Sequence, residues 1–504
     1  MAIADTHAHY SPTLWKRQRD AVAGQRAIHA GGEAYLPKLA SQDAKTYAAY
    51  RDRTGYYNAT GRTVQGMVGL MFRKAPSHDF PPAMQAFIDD VTLGGVTAAS
   101  FAKAIATEVL TVGRAMSLVE FPAPVEGEAP LTAAQASDLN LRPFLCTYYA
   151  ENLTNWSEGR VNNVAQATQI RLLESWTEPV DEFSSKEHPQ RRVLDLHEGA
   201  YRQRIFRQAV AAKKDGAPEG DKASAANGWP QVGPDMVPLV NGKPLASIPM
   251  VCFGPEENSL TVQQPPLEDI AHVNIAHYRT TADYENACHF VGCPTPWVTG
   301  HSPAEGEAAI AIGSPVMMVF PDQLTKVGIL ELEGKGLSEL RDNLTAKEAQ
   351  MAALGARMLA PEKAGVEAAA TLSLRHNGEQ SALASIADLI SEGMTRLLRL
   401  AAAWMGIEAK DCVYKLNTDY LPAGMTAQEM QGLVSAWQQG AISRQTLFSN
   451  LQRGEIIASD VSYEDEEALI ADEGPTLAMQ TALISAKSKA SETKKSSGSK
   501  DDEQ

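Results

Sequence analysis

The sequence has no excess of positive charge. Its 504 residues include 45 lysines and arginines against 61 aspartates and glutamates, which gives a formal net charge of −16. Proteins that hold nucleic acid tightly by its phosphates are usually basic, because each neutralised phosphate releases counterions. The composition therefore argues against a tight nucleic-acid binder. It is compatible with a protein that lines a channel through which DNA slides, since acidic groups repel the phosphate backbone.

Long hydrophobic runs are also missing. No stretch of about 18 or more apolar residues occurs, and the first residues lack the basic-then-apolar pattern of a secretory signal. Hydrophobic residues make up 44% and charged residues 21% of the chain, which is typical of a folded protein with a large core. We therefore expect several domains and no membrane partner.

Cysteine is scarce and scattered. The five cysteines are Cys146, Cys252, Cys288, Cys293 and Cys412. An odd number at irregular spacing does not form a disulfide framework. Cys288 and Cys293 are separated by four residues and have no second pair, so this spacing gives little support for a zinc site. We expect ordinary, partly buried thiols.

The familiar catalytic motifs are absent. The sequence contains no GxxxxGK[ST], GxSxG, HExxH or GxGxxG. One metal-binding alternative is the pair His7 and His9 in DTHAHY, because metal-dependent hydrolases often open their barrel with such a pair. Only four residues precede this segment, no regular βα alternation follows, and LWKRQRDAV just after it predicts a surface helix. We expect no metal, no cofactor and no enzymatic activity, with the hydrolase kept as an alternative.

The patterning predicts an α+β fold. Residues 142–253 are β-rich, with hairpin turns at Glu198-Gly199 and Asn241-Gly242. Three long helices follow: one that opens at Glu268 and Asp269 and ends at Gly292, one in GLSELRDNLTAKEAQMAALGARMLA, and one capped by Ser381 that ends at Gly406. Between the first two lies a small unit of short β-like pieces. Residues 425–472 predict two or three further helices, and the tail is of low complexity.

The first long helix has no cleanly apolar face. Ile270, Ile275 and Tyr278 are apolar, whereas Arg279 and Asp283 are charged. Such a helix is typical of one shared between neighbours rather than tucked under a sheet.

Three phrases resemble the portal proteins of tailed bacteriophages, and in particular a portal-like subfamily known from phage genomes as a domain of unknown function. They are GYYNATGRTVQGMVGLMFRKAP at 55–76, IAHYRTTADYENACHFVGCPTPWVTG at 275–300 and KEAQMAALGARML at 347–359, with weaker support from SALASIADLI at 381–390. The likeness extends over about residues 10–420, and none of its motifs is diagnostic by chemistry.

The resemblance implies a portal architecture of an α/β wing, two long stem helices, a small β-containing clip and a helical crown. It places the wing at 1–264 and 381–424, the stem helices at 265–291 and 336–360, the clip at 292–335, the tunnel loop at 361–380, the crown at 425–475 and a flexible tail at 476–504.

The resemblance also implies a function. A dodecameric ring would occupy one capsid vertex of the virion, assembled in the cytoplasm of the bacterial host, and double-stranded DNA would pass through its channel during packaging and ejection. The implied partners are the terminase large subunit, head–tail adaptor proteins, and the major capsid and scaffold proteins. The alternative within the same class is a phage structural or scaffold protein without a channel.

Candidate residues follow from this assignment. Those near the DNA are Lys363, Arg375, His376 and Lys347. Those of the stem helices are Ile270, Ile275, Tyr278, Leu340, Leu344 and Met351. Those of the clip, expected to contact terminase or adaptor, are Trp297, Val298, Met317, Phe320 and Ile329.

Overall fold

The computed structural model describes residues 3, 5–40, 42–122, 139–208, 228–292, 295–300, 324–330, 334, 336–358, 381–418, 420, 427–454, 456–457 and 461–472. The chain divides into two compact units, Met1–Thr418 and Asp419–Gln504. Helices and antiparallel sheets are both abundant, so the fold is α+β, as the sequence predicts.

The helices of the first unit are α1 (Pro12–Ala23), α2 (Gln25–Gly31), α3 (Ala44–Arg53), α4 (Ala59–Met71), α5 (Gln85–Asp89), α6 (Ala98–Val112), α7 (Glu268–Gly292), α8 (Leu337–Arg357) and α9 (Ala382–Trp404). Local capping fixes several starts. Asn58 accepts a hydrogen bond from the backbone N–H of Gly61 at the start of α4, and Ser381 accepts one from Ala384 at the start of α9. Gly406 (φ 72°) follows α9 in the left-handed conformation, and the N–H of Ile407 bonds back to the carbonyl of Ala402.

The strands are β1 (Ser77–His78), β2 (Ala115–Glu120), β3 (Phe144–Tyr149), β4 (Leu153–Val161), β5 (Val164–Pro179), β6 (Ser185–His197), β7 (Ala200–Arg207), β8 (Gln231–Met236), β9 (Leu239–Val240), β10 (Lys243–Pro244), β11 (Met250–Phe253), β12 (Thr295–Thr299), β13 (Lys326–Leu330) and β14 (Tyr414–Lys415). They form a three-stranded sheet in the order β11-β2-β3, a five-stranded sheet in the order β4-β5-β6-β7-β8, and the pairs β1-β14, β9-β10 and β12-β13. The pairings are antiparallel.

Both predicted hairpin turns are present. Glu198 and Gly199 have φ of 53° and 79° between β6 and β7, and Asn241 and Gly242 have φ of 53° and 75° between β9 and β10. Two successive residues with positive φ are typical of the tight turn whose twist matches that of antiparallel strands. The β-rich interpretation of 142–253 is confirmed for its described residues.

The core of the first unit lies between layers. One cluster joins the two larger sheets and includes Leu118, Trp156 and Leu194. Helix α9 packs against β2 and β11. Helical spacing predicts one buried face made of Leu383, Ile386, Ile390, Met394, Leu397, Ala401 and Trp404. The first six are buried, and Trp404 is half-buried. Each buried Leu, Ile or Met side chain contributes about 1.5–3 kcal/mol, so α9 is fixed firmly to the sheet.

The prediction of a surface helix after the first histidines is wrong. Helix α1 buries Trp15, Gln18, Asp20 and Ala21 and contacts α2, α4, α6 and α7. Because LWKRQRDAV carries four charges, its pattern indicated exposure. In the fold all four of those charges are paired: Lys16 with Asp20, Arg17 with Glu268, and Arg19 with both Glu108 and Glu151.

The second unit is described only as helices. They are α10 (Ala427–Gln438), α11 (Arg444–Arg453) and α12 (Tyr463–Asp472). Ser443 caps α11 by accepting a hydrogen bond from Thr446. The expected two or three helices of 425–472 are confirmed. The polar segment KKDGAPEGDKASAANG at 213–228, which the sequence predicts to be an exposed loop, lies outside the described residues except for Gly228, and so does the tail from 476.

Candidate functional site

The candidate site is the helical hairpin formed by α7 and α8, with β12 and β13 between them in the chain. The helices run antiparallel: His277 faces Glu348 near the inner end, and Val291 lies beside Leu337 and Gly334 near the outer end. A 25-residue helix at 1.5 Å per residue is about 37 Å long. The hairpin is therefore long enough to cross much of a domain.

The inner half of α7 anchors the hairpin in the first unit. Ile275, Tyr278 and Ala282 belong to a cluster with side chains of α2 and α3 and the adjoining loops, and Ile270 is also buried. These stem candidates are core residues of their own chain. This half of the helix is therefore covered by other helices of the same chain, and the assignment of these residues to a stem stays a prediction.

Polar contacts fix the same half of α7. Asn274 is fully buried; its side-chain carbonyl accepts hydrogen bonds from the backbone N–H and hydroxyl of Thr60 (3.0 and 2.9 Å), and its NH2 donates to the carbonyl of Tyr57 (2.7 Å). The hydroxyl of Tyr50 donates to Asp283 (2.7 Å). A buried amide whose oxygen accepts two hydrogen bonds and whose NH2 donates one specifies one position for the helix. The sequence interpretation missed Asn274, although a polar residue amid apolar neighbours was its signal.

The outer half of α7 and nearly all of α8 are uncovered. None of residues 283–292 is buried, and Phe290 is 57% exposed. In α8, which is described throughout, Met351 is the one buried side chain. Leu340 and Leu344, also stem candidates, are half-buried. The apolar stripe of α8 is therefore only partly used by its own chain.

Ionisable groups connect the two helices. Nε2 of His277 lies 3.3 Å from a carboxylate oxygen of Glu348, and the ring of Tyr57 lies 5.7 Å from the imidazole. Burial lowers the pKa of His277 below its usual value, partly offset by the hydrogen bond to Glu348. Nζ of Lys347 donates to the hydroxyl of Thr280, and burial lowers the pKa of this lysine too. Lys347, a candidate DNA contact, is thus held against α7.

The β12–β13 pair presents apolar side chains to solvent. Trp297 is 42% and Ile329 is 61% exposed, and Val298 is half-buried. Gly328 of β13 lies opposite Trp297 of β12. A Cβ atom at position 328 would lie 2.6 Å from the indole, so only glycine leaves room for the indole to lie across β13. Of the other candidates, Met317 and Phe320 of the clip and Lys363, Arg375 and His376 near the DNA lie outside the described residues.

The two N-terminal histidines lie apart from this hairpin. The imidazole of His7 stacks on Trp156 with 3.8 Å between centroids, and its Nδ1 accepts from the backbone N–H of His9. The adjoining cavity has a volume of 340 Å³ and includes Glu158. Within the described ranges, no three His, Cys, Asp or Glu residues are grouped so as to hold a metal ion. The described helices also include none with the length and apolar character of a membrane span.

Comparison with known proteins gives one family and several distant structures. Residues 266–405 match the family described as "Domain of unknown function (DUF4055)". No curated protein matches the chain. The virion of a native gene transfer agent particle contains a chain with 11% identity and a TM-score of 0.36, covering 84% of this chain and 97% of that one. A chain in the neck of the native particle, computed with C12 symmetry, has 12% identity, a TM-score of 0.37 and coverage of 85% and 98%.

Proposed function

We propose that this chain is a portal protein of the tailed-bacteriophage type. Copies form a closed ring at one capsid vertex, and the central channel passes double-stranded DNA during packaging and ejection. The proposal assigns the chain a structural role in the virion, with no catalysis and no cofactor.

The exposure of α8 carries the proposal. A helix of 21 residues that buries one side chain gains little from packing on its own chain, although its stripe of Leu337, Leu340, Leu344, Leu354 and Met358 is half-buried. Helical stability in proteins comes mainly from packing of an apolar face. Side-by-side copies of the hairpin would complete that packing, and a rotation that closes would give a ring.

The sequence phrases at 55–76, 275–300 and 347–359 support the same assignment. Two of them lie in the hairpin, and the third forms the loop and helix α4 on which α7 is seated through Asn274 and Thr60. In this proposal the hairpin is the stem, and β12–β13 belongs to a clip that docks the terminase large subunit and later the head–tail adaptors. The wing and crown would contact capsid and scaffold proteins.

The test is to purify the full chain, measure its native mass and image the particles by electron microscopy. We expect subunit rings with a central hole when they are viewed down the axis, and twelve subunits if the resemblance extends to stoichiometry. A mass equal to one subunit across concentrations and salts would contradict the proposal. A closed particle without a hole would instead support a structural or scaffold protein that has no channel.

A further inference from the structure

The β5–β6 hairpin extends beyond the sheet to which it belongs. Strand β4 pairs with β5 only as far as Leu172, and β7 pairs with β6 only from Gln190 onwards. In the described part of the chain, residues 175–179 and 185–189 therefore form a two-stranded ribbon. Its length is about 16 Å at about 3.3 Å per residue.

The turn at the end of this ribbon, residues 180–184, is a structured projection that we call the knob. Asp181 accepts hydrogen bonds from the backbone N–H groups of Phe183 and Ser184, both at 2.8 Å, and from the hydroxyl of Ser184. Val180 pairs with Ser184 across the turn. These bonds fix the backbone while Phe183 remains 92% exposed, and Glu182 lies beside it in solvent. The knob thus offers one aromatic side chain flanked by two carboxylates.

A groove elsewhere in the same unit has the opposite character. It runs along α9 beside β14, with a volume of 670 Å³. Arg396 and Arg399 line one end, together with the apolar Leu400 and Val413. Asp388 and Glu392 line the preceding turns of α9, and Lys415 lies level with these turns, because the backbone N–H groups of its neighbours Tyr414 and Leu416 bond to Thr395 and Ser391. Among the described residues, Arg396, Arg399 and Lys415 form no ion pair with a carboxylate. Val413 is 47% exposed. The basic end is therefore a site for an apolar group with acidic neighbours.

We propose that the knob of one subunit docks in this groove of a second copy, with Phe183 against Leu400 and Val413 and Glu182 toward Arg396. The knob and the groove do not meet within one chain, since the groove is lined by residues 388–415 and Phe183 is solvent-exposed. Two complementary surfaces at different places on one chain make a head-to-tail contact, which closes into a ring when the rotation allows. This inference rests on the proposed subunit ring and names one of its contacts.

Truncation of the knob is the first test. Phe183→Ala should raise the subunit concentration at half-assembly at least tenfold, because burial of a phenylalanine is worth about that factor or more. Val164→Ala, which removes an exposed apolar side chain at the β4–β5 turn, is the matched control and should assemble like the wild type. Native mass spectrometry across a dilution series measures both, and circular dichroism checks that each variant is folded.

A charge swap is the second test. Glu182→Arg and Arg396→Glu should each weaken assembly, and the double variant should recover most of the loss because the ion pair is restored with reversed polarity. Glu187→Arg, on the same ribbon but away from its end, should have no effect.

The outcomes separate the two proposals. If all variants form rings equally well, the knob contact is overturned and the proposed ring stands. The same holds if the single charge variants weaken assembly and the double variant does not recover it. Normal rings from Phe183→Ala whose particles then fail to join a capsid would assign the knob to another virion protein and overturn the contact between copies. A wild type that never assembles would overturn both.

Discussion

At the scale of single residues, the fold depends on a few buried ionic groups that connect distant segments. Arg19 of α1 is the clearest case. Its guanidinium donates to Glu108 of α6 and to Glu151 of the turn after β3, and Glu108 is only 6% exposed. Burial raises the pKa of Glu108, and the Arg19 cation opposes that shift. The carboxylate is therefore stable in the core only because the guanidinium is beside it.

We predict that Arg19→Met destabilises the first unit by about 3 kcal/mol at pH 7, at the lower end of the range for a broken buried ion pair because Arg19 is partly exposed. The loss should shrink as the pH falls toward the unfolded pKa of glutamate, about 4.3, because protonation removes the uncompensated charge. Urea unfolding at pH 7 and pH 5 measures this. The control is Arg26→Met, an exposed arginine on α2. A loss that is equal at both pH values would refute the assignment.

At the scale of elements, we predict that the pairing of α7 with α8 depends on pH. His277 faces Glu348 and Lys347 on α8, Tyr57 before α4 and Thr281 on its own helix. Its folded pKa lies below the unfolded value of 6.5, so the neutral imidazole is the form that the fold favours. Stability from this site is present above pH 6.5 and is lost as the pH falls through the lowered folded pKa.

Replacement of His277 by glutamine should therefore flatten the dependence of unfolding on pH. Between pH 7 and pH 5 the thermal midpoint of the wild type should fall more than that of His277→Gln, because the variant has no imidazole to protonate. His272→Gln, at an exposed position on the same helix, should behave like the wild type. Parallel curves for wild type and His277→Gln would show that another group carries the acid sensitivity.

The segment that contains β12 and β13, assigned to a clip in the proposed function, is the other element for which we predict a separable role. We predict that replacing residues 295–332 by a short flexible turn leaves the rest of the chain folded. Its far-ultraviolet circular dichroism spectrum and its melting temperature should stay close to those of the wild type. Binding of the terminase large subunit in a pull-down should be lost, since the exposed Trp297 and Ile329 are removed. The conservative comparison is Trp297→Ala with Ile329→Ala, which should weaken binding without removing the segment. Retained binding by the deletion would place the docking surface elsewhere.

At the scale of the whole molecule, the net charge of −16 matters for what the assembly does. In the proposed ring, that charge on every copy would repel the DNA backbone, so passage rather than tight binding would be favoured. A few basic groups in the channel would then be the points at which the duplex is steadied. Lys363 and Arg375 remain the sequence candidates for this role.

We predict that Lys363→Glu or Arg375→Glu leaves subunit rings intact but lowers the amount of nuclease-protected DNA per particle, or its retention, because each reversal adds repulsion beside the phosphates. Lys103→Glu, an exposed lysine on α6, supplies the same change of charge elsewhere. Packaging and retention equal to the wild type would remove both residues from the channel.

The sequence by itself determined the α+β class, the start and end of α7, the buried face of α9 and the turns at Glu198-Gly199 and Asn241-Gly242. These follow from local spacing, capping and positive φ, which depend on neighbours in the chain. Only the tertiary structure decided that α1 is buried, that Asn274 seats α7 on α4, and that Ile275 and Tyr278 lie in the core of their own chain. It also decided that Phe183 is exposed and that a groove runs along α9 beside β14. Each of these depends on contacts between residues far apart in sequence, and local pattern carries no information about which distant partner will neutralise a charge or cover a side chain.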